Sequence, residues 1–355
     1  MFQKITLHEL VLAIIIVFVL VLLLIIAVLF YSFYKYRVLS NRQVWTQIIE
    51  NKITESIVLG QNFVENDESF DMHLREPSFR NVFLDLLVAS ERKFSGVARE
   101  EITHLFYKFS LEDEAWRNLI KKKAYHIAGG IQELTAMRVL RALPQFTSLL
   151  EHREKQVYLE AQYGIVSFKG AEGLSFLDTL KHPLSEWQQL RLLNSIIDIP
   201  DPQIVNINLW LRSENTSVVI FTLRLMRKFQ MLSYYGEVLQ LLAHNDTAVK
   251  IQVVRTLEAF ENNNTMEQLV RAFPEETLAV QIEILKAMKL SKSLECDGFL
   301  KKQLWEHPAV AIKIWSAEVL VSLGERPYLR DMALDENTPD EFKHIINHAL
   351  QEKVC

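Results

Sequence analysis

Between Leu10 and Tyr34 the chain reads LVLAIIIVFVLVLLLIIAVLFYSFY, an apolar run without a single charge. A helix of about 20 apolar residues crosses a bilayer core, so this stretch is long enough to span with some tilt. Beyond it the pattern changes to amphipathic segments with apolar residues at helical spacing, separated by short polar joints. The apolar run is too long for a signal-peptide core. It is followed by Tyr31, Phe33, Tyr34 and Tyr36 rather than a small-x-small cleavage pattern, which predicts a retained anchor. Those aromatics suit the headgroup interface. The span holds no glycine, hence no GxxxG, and no ionisable residue, so it reads as an anchor rather than a transport path. Lys35, Arg37, Arg42 and Lys52 follow the span and Lys4 precedes it, a bias that places the C-terminal domain in the cytoplasm.

The amphipathic part is periodic. Taking Val249 of HNDTAVKIQVVRTLEAF as an anchor, Val218 precedes it and Val280 and Ile312 follow it at a step of about 31 residues. The same step backward reaches Trp187 and then Gln156. Five places after each anchor stands an apolar residue or alanine: Ala161, Leu192, Leu223, Val254, Leu285 and Ala317. Eight places after come Met226, Leu257, Met288 and Leu320, with Gly164 and Ser195 as weaker matches in the two earliest copies. Offsets of 0, 5 and 8 share one face of a 3.6-residue helix. Shorter apolar-striped segments lie between, so each unit reads as helix A, a polar turn, helix B and a link. His182-Pro183, Asn245-Asp246, His307-Pro308 and Pro200-Asp201-Pro202 mark the joints.

Neither helix of such a unit buries its stripe alone, so stacked neighbours must supply the core. The expected fold is therefore all-α, an α-solenoid of stacked helix pairs preceded by one transmembrane helix. The expected organisation is a tail over 1–9, the membrane helix over 10–34, a juxtamembrane helical stalk and cap over 35–95, and the solenoid over 96–355 with seven to eight units. Its repeat core should be Ala161, Trp187, Leu192, Val218, Leu223, Val249, Val254, Leu257, Val280, Leu285, Ile312 and Ala317. Only 10 glycines and 9 prolines in 355 residues also argue against an all-β chain.

Composition excludes several functions. The net charge is −5, and residues 1–39 carry +2, so the rest carries −7 and lacks the basic footprint of a nucleic-acid binder. The two cysteines, Cys296 and Cys355, form neither a disulfide framework nor a zinc pattern. His182, His244 and His307 recur because the repeat recurs, and they read as turn residues. His344 and His348 share a helix face in HIINH without the glutamate of HExxH or a third ligand. KGAEG (Lys169–Gly173) lies in a link where glycines end helices. No P-loop, GxSxG or dinucleotide signature is present, so no catalytic, cofactor or metal residue is assigned and no small-molecule substrate is evident. One constellation stands out: Arg224, Arg255 and Lys286 occupy the sixth place after the anchor in three consecutive units, with Lys250 and Lys313 one place after it and Lys228 and Lys289 nearby. Stacked equivalent positions form a column, a candidate strip for an acidic protein partner.

The units ALPQFTSLLEHREKQVYLEAQYGIVSF and VLQLLAHNDTAVKIQVVRTLEAF resemble short bacterial HEAT repeats of outline LxxLLxDxxxxVRxxAxxAL. They depart from it by histidine or asparagine at the turn aspartate. With the membrane helix, WRNLIKKKAYHIAGGIQELTAM and GLSFLDTLKHPLSEWQQLRLL, the chain resembles a membrane-anchored HEAT-repeat family of Bacteroidetes whose members accompany family 2 glycosyltransferases and outer-membrane barrels. That resemblance implies a scaffold or adaptor at the inner membrane that binds a protein, a membrane glycosyltransferase among the candidates, in envelope polysaccharide synthesis or export. The alternatives are a HEAT-like enzyme resembling phycobilin lyases and a general membrane assembly factor. A DNA glycosylase of the HEAT-like type should be basic and unanchored, which this chain is not.

Overall fold

The computed structural model describes residues 7–60, 68–199 and 205–351. Lys4, the Pro200-Asp201-Pro202 joint and Cys355 lie outside the described residues. Among those residues every regular element is helical and no strand occurs, so the protein is all-α. The chain separates into two compact units at Phe168/Lys169.

The first unit contains α1 (Leu7–Leu59), α2 (Glu68–Leu74), α3 (Pro77–Glu91), α4 (Val97–Lys108), α5 (Glu112–Leu119), α6 (Ala124–Ala136), α7 (Leu143–Ser148) and α8 (Lys155–Lys169), whose last residue belongs to the second. The first helix is one uninterrupted element of 53 residues, about 80 Å at the usual rise. Residues Ile15–Ser32 within it are long and apolar enough to cross a membrane, and all are exposed. Its C-terminal third behaves differently: Ile49 and Ile53 are buried and pack, with α3 and α4, into the core. That core is aromatic where α1 meets it. Trp45 sits edge-on to Phe79 at 5.8 Å, Phe70 edge-on to Phe79 and Phe83 at 5.5 Å each, and Phe109 lies 5.5 Å from Phe83. Such edge-to-face pairs add about 1 kcal/mol each to area burial. Because α3 packs on α4, α5 and α6, the segment before residue 96 shares one core with the helices after it.

Close packing between α5 and α6 depends on a missing side chain. A Cβ on Gly130 would lie 2.6 Å from the Leu119 nitrogen and 2.9 Å from the Ala115 oxygen, both backbone atoms. Arg80 of α3 closes the neighbouring turn. Its Nε donates to Glu114 at 2.7 Å, and its terminal nitrogens donate to the carbonyls of Phe109 and Ser110 at 3.1 and 2.7 Å.

The second unit contains α9 (Glu186–Ser195), α10 (Ile207–Leu211), α11 (Thr216–Lys228), α12 (Tyr235–Gln240), α13 (Thr247–Ala259), α14 (Thr265–Ala272), α15 (Leu278–Ser291), α16 (Asp297–Glu306), α17 (Val310–Ser322), α18 (Arg326–Leu334) and α19 (Asp340–Leu350). A 3-10 stretch, Gly170–Thr179, precedes α9. The longer helices pack in sequence, α11 on α13, α13 on α15, α15 on α17 and α17 on α19. Shorter helices pack against the longer ones beside them, as α10 does on α11 and α16 on α17.

The repeat recurs in the helix boundaries as well as the apolar stripe. Asn215 and Asp246 cap α11 and α13, the Asp246 carboxylate accepting from the Ala248 and Val249 nitrogens at 2.7 and 3.2 Å. At the other ends, Gln230, Glu261, Lys292 and Gly324 follow α11, α13, α15 and α17 in the left-handed conformation. After α11 the Met231 nitrogen donates to the Met226 carbonyl at 3.0 Å, and after α17 Glu325 donates to Leu320 at the same distance, the six-to-one bond of a Schellman ending.

Candidate functional site

Of the expected repeat-core residues, Ala161, Leu192, Val218, Leu223, Val249, Val254, Leu257, Val280, Leu285, Ile312 and Ala317 are fully buried. Trp187 is not: its side chain is 62% exposed, with the Arg191 guanidinium 5.1 Å over its ring. The earliest anchor fails in the same way, since Gln156 is exposed and Val157 is fully buried. Ser185 explains the offset in α9. It caps the helix by accepting from the Gln188 nitrogen, which fixes the start so that Gln188 and Gln189 face inward and Trp187 outward. With anchors at Val157 and Gln188, the residues eight places on are Ile165 and Ile196, both buried. The weak matches at Gly164 and Ser195 therefore reflect a register error of one residue. Gly164 has its own role, because a Cβ there would lie 2.8 Å from the Phe146 ring and the Thr135 hydroxyl.

The histidines sit where the turns need an acceptor. The Nδ1 atoms of His244 and His307 accept from the backbone nitrogens of Asp246 and Ala309 at 2.9 and 3.1 Å. His152 makes the same bond to Glu154 at 3.1 Å. An acceptor reaching the nitrogen two residues on is what an asparagine supplies in an Asx turn, so the imidazole replaces it. His344 and His348 are exposed on α19, and no metal-sized group of three His, Cys, Asp or Glu gathers among the described residues.

The basic column is largely partnered within the second unit, by a rule that periodicity alone does not reveal. A base six places after one anchor reaches the residue three places after the next. Arg224 on α11 donates through Nε to Gln252 on α13 at 3.4 Å, and Arg255 on α13 donates through Nε to Glu283 on α15 at 2.5 Å. Lys286 on α15 lies 5.5 Å over the ring of Trp315 on α17 and pairs with Glu283 at 3.2 Å. Lys289 takes Glu318 at 3.2 Å, and Lys250 pairs with the nearly buried Glu276 at 2.9 Å. Lys313 stands 4.3 Å over the Phe342 ring, and Lys228 gives its ammonium to the Leu193 and Ile196 carbonyls at 2.6 and 2.7 Å, closing the end of α9. Burial pushes the Glu283 carboxyl up, but the bonds from Arg255 and Lys286 outweigh it and hold the carboxyl below its ordinary range. The complement was present in the sequence as Gln252 and Glu283, each at a separation of 28 from its base.

Donors remain unused at the α9 end of the column. An open groove of about 380 Å³ crosses α9, α11 and α13, and Arg224, Arg227 and Arg255 face it. In the first unit the chemistry is different, with several carboxylates buried. Glu133 on α6 is 8% exposed, and both its oxygens accept from the Asn118 amide at 3.0 and 3.1 Å. Burial raises its pKa to about 7 against that hydrogen bond, with Asp85 and Glu114 adding to the rise and Lys121 opposing it.

No protein-family model matches the chain. No curated protein matches it either. Among solved structures, a crystal structure of an engineered protein is 17% identical over 85% of this chain and 81% of its own length, with a TM-score of 0.34, too low to bear on the fold or the function.

Proposed function

We propose that this protein is a single-pass, membrane-anchored scaffold whose HEAT-like units stack as an α-solenoid and bind a protein partner at the membrane. The observation that carries it is α1. One helix holds the exposed apolar span Ile15–Ser32 and, without a break, Ile49 and Ile53 of the folded core. Only about a dozen residues separate Ser32 from Trp45, about 20 Å of helix, so the domain is held near the bilayer by a stiff rod. A flexible tether lets a domain sample a wide volume, whereas a rod fixes distance and raises the effective concentration against neighbours in the same membrane. The consecutive packing of α11, α13, α15, α17 and α19 supports the solenoid, and the regular recurrence of anchors and left-handed endings supports HEAT-like units. The basic residues after the span support a cytoplasmic domain at a bacterial inner membrane. The family resemblance directs the partner search toward membrane glycosyltransferases of envelope polysaccharide synthesis. The test is crosslinking in native membranes followed by copurification on the full-length chain, with a variant carrying a flexible Gly/Ser insertion after Arg37. Recovery of a membrane enzyme by the native chain and its loss with the insertion support the scaffold. Recovery of no membrane protein by the native chain overturns it.

A further inference from the structure

The groove across α9, α11 and α13 has a lining that internal pairing does not use up. Arg227 is exposed, and its guanidinium makes no hydrogen bond among the described residues; it acts on Glu258 through its charge alone. Arg255 spends only Nε on Glu283, which orients its guanidinium and leaves the terminal nitrogens without an acceptor among the described residues. Gln252 is buried at the base, and its Nε2 has no acceptor among the described residues. The one carboxylate in the lining is Glu186, 3.3 Å from Arg224 and itself exposed. Leu190 and Leu193 supply an apolar floor at the α9 end, with Leu190 half exposed.

We propose that this groove docks an extended acidic segment of a protein partner, with a carboxylate at every third residue. The inference rests on the scaffold reading and names the chemistry of its partner. Arg224 and Arg255 are equivalent positions on successive helices, and packed helices stand about 8–10 Å apart. A polyproline-type chain returns to the same face every three residues after about 9 Å, so carboxylates at i and i+3 meet Arg255 and, in exchange for its exposed Glu186 partner, Arg224. A β-strand repeats every two residues, at about 6.6 Å, and falls out of step. Guanidinium is the group that grips a carboxylate bidentately, and a solvated lysine does so less well. The leucine floor takes an apolar residue between the acids. Further along the column Lys286 and Lys289 are held by Glu283, Glu318 and the Trp315 ring, so the docked segment ends at α13 and measures about six residues, two helix spacings.

The test uses the full-length chain in detergent micelles and two fluorescent nonapeptides of equal composition. One repeats glutamate, proline and leucine in that order three times; the other carries the same residues sorted into a glutamate block, a proline block and a leucine block. The expected result is saturable binding of the spaced peptide at least tenfold tighter than the block peptide. Arg227→Glu and Arg255→Gln should each weaken it tenfold or more, whereas Lys302→Glu on α16 should leave it unchanged. Arg227→Glu breaks no side-chain hydrogen bond, so an unchanged melting midpoint separates lost binding from lost folding. Equal affinity for both peptides, no binding of either at millimolar concentration, insensitivity to Arg227→Glu, or displacement by inorganic phosphate at a similar concentration each overturn the proposal, the last by reducing the groove to a simple anion subsite. If the peptides fail while the chain still copurifies with a membrane partner, the groove is wrong and the scaffold stands.

Discussion

Glu133→Gln should flatten a pH dependence built into the first unit. Glu133 lies on α6 with its side chain largely buried, and the hydrogen-bonding group that reaches both oxygens is the neutral amide of Asn118. Lys121 donates at 2.6 Å to the far side of that amide, and its charge opposes the rise at Glu133 without a hydrogen bond to the carboxylate. Burial therefore dominates, and the folded pKa rises from 4.5 to about 7. Between these values the folded chain keeps a proton that the unfolded chain has released, so stability falls as pH rises through that window. The contribution is fully present below pH 4.5 and lost above about pH 7. At about 1.4 kcal/mol per pH unit the ceiling is about 3 kcal/mol, and solvent relaxation around the partly accessible carboxyl brings the expected effect to roughly 2 kcal/mol. Glutamine keeps the shape of the protonated acid and cannot ionise. Amide hydrogen exchange of α5 and α6, followed from pH 5 to pH 8 and corrected for intrinsic rates, reads the local opening free energy. Asp85, also pushed up by burial, contributes to the rise at Glu133, so the comparison reads Glu133 together with its coupling to Asp85. Across that range the native chain should lose about 2 kcal/mol of protection relative to Glu133→Gln. Parallel profiles, or a native chain that gains protection with rising pH, refute the reasoning.

Gly130→Ala should destabilise the first unit by about 2 kcal/mol in a denaturant titration, because the atoms its Cβ meets are backbone and cannot rotate away. His307→Ala should lower the melting midpoint of the second unit, at a cost of about 1 kcal/mol, while His307→Asn should restore most of it by supplying the same turn acceptor. Gln230→Gly should stabilise, by about 0.5–1 kcal/mol in the same melt, since the left-handed ending suits glycine and no side-chain contact across the core is lost. Leu192→Ala should cost about 2–4 kcal/mol and Trp187→Gln close to nothing, a comparison by chemical denaturation that checks the one-residue register in α9.

The sequence was sufficient for features that depend on local periodicity. The uncharged run predicted the long apolar helix, and α1 contains it with every residue of Ile15–Ser32 exposed. The stripe recurring at offsets 0, 5 and 8 predicted the buried faces of α11, α13, α15 and α17, because a helix exposes one face per period whatever it packs against. Turn histidines were legible as turns, though not as Nδ1 acceptors, since that depends on a rotamer and a tautomer.

Three matters needed tertiary structure. The register in α8 and α9 was one, because the buried face is set by packing and, in α9, by the start that Ser185 caps: Trp187 faces outward although tryptophan is the more apolar neighbour of Gln188. The continuity of α1 was another, since burial of Ile49 and Ile53 against Phe70 and Phe79 recruits the expected stalk into the first core. The third was the basic column. Charges so far apart in a linear chain carry no mark of contact, and only stacking at helix spacing brings Arg255 to Glu283. Periodicity thus determined which faces are apolar, and packing decided which charges neutralise one another, as Arg255 and Glu283 do, and which, at Arg227, faces the groove without an ion pair among the described residues.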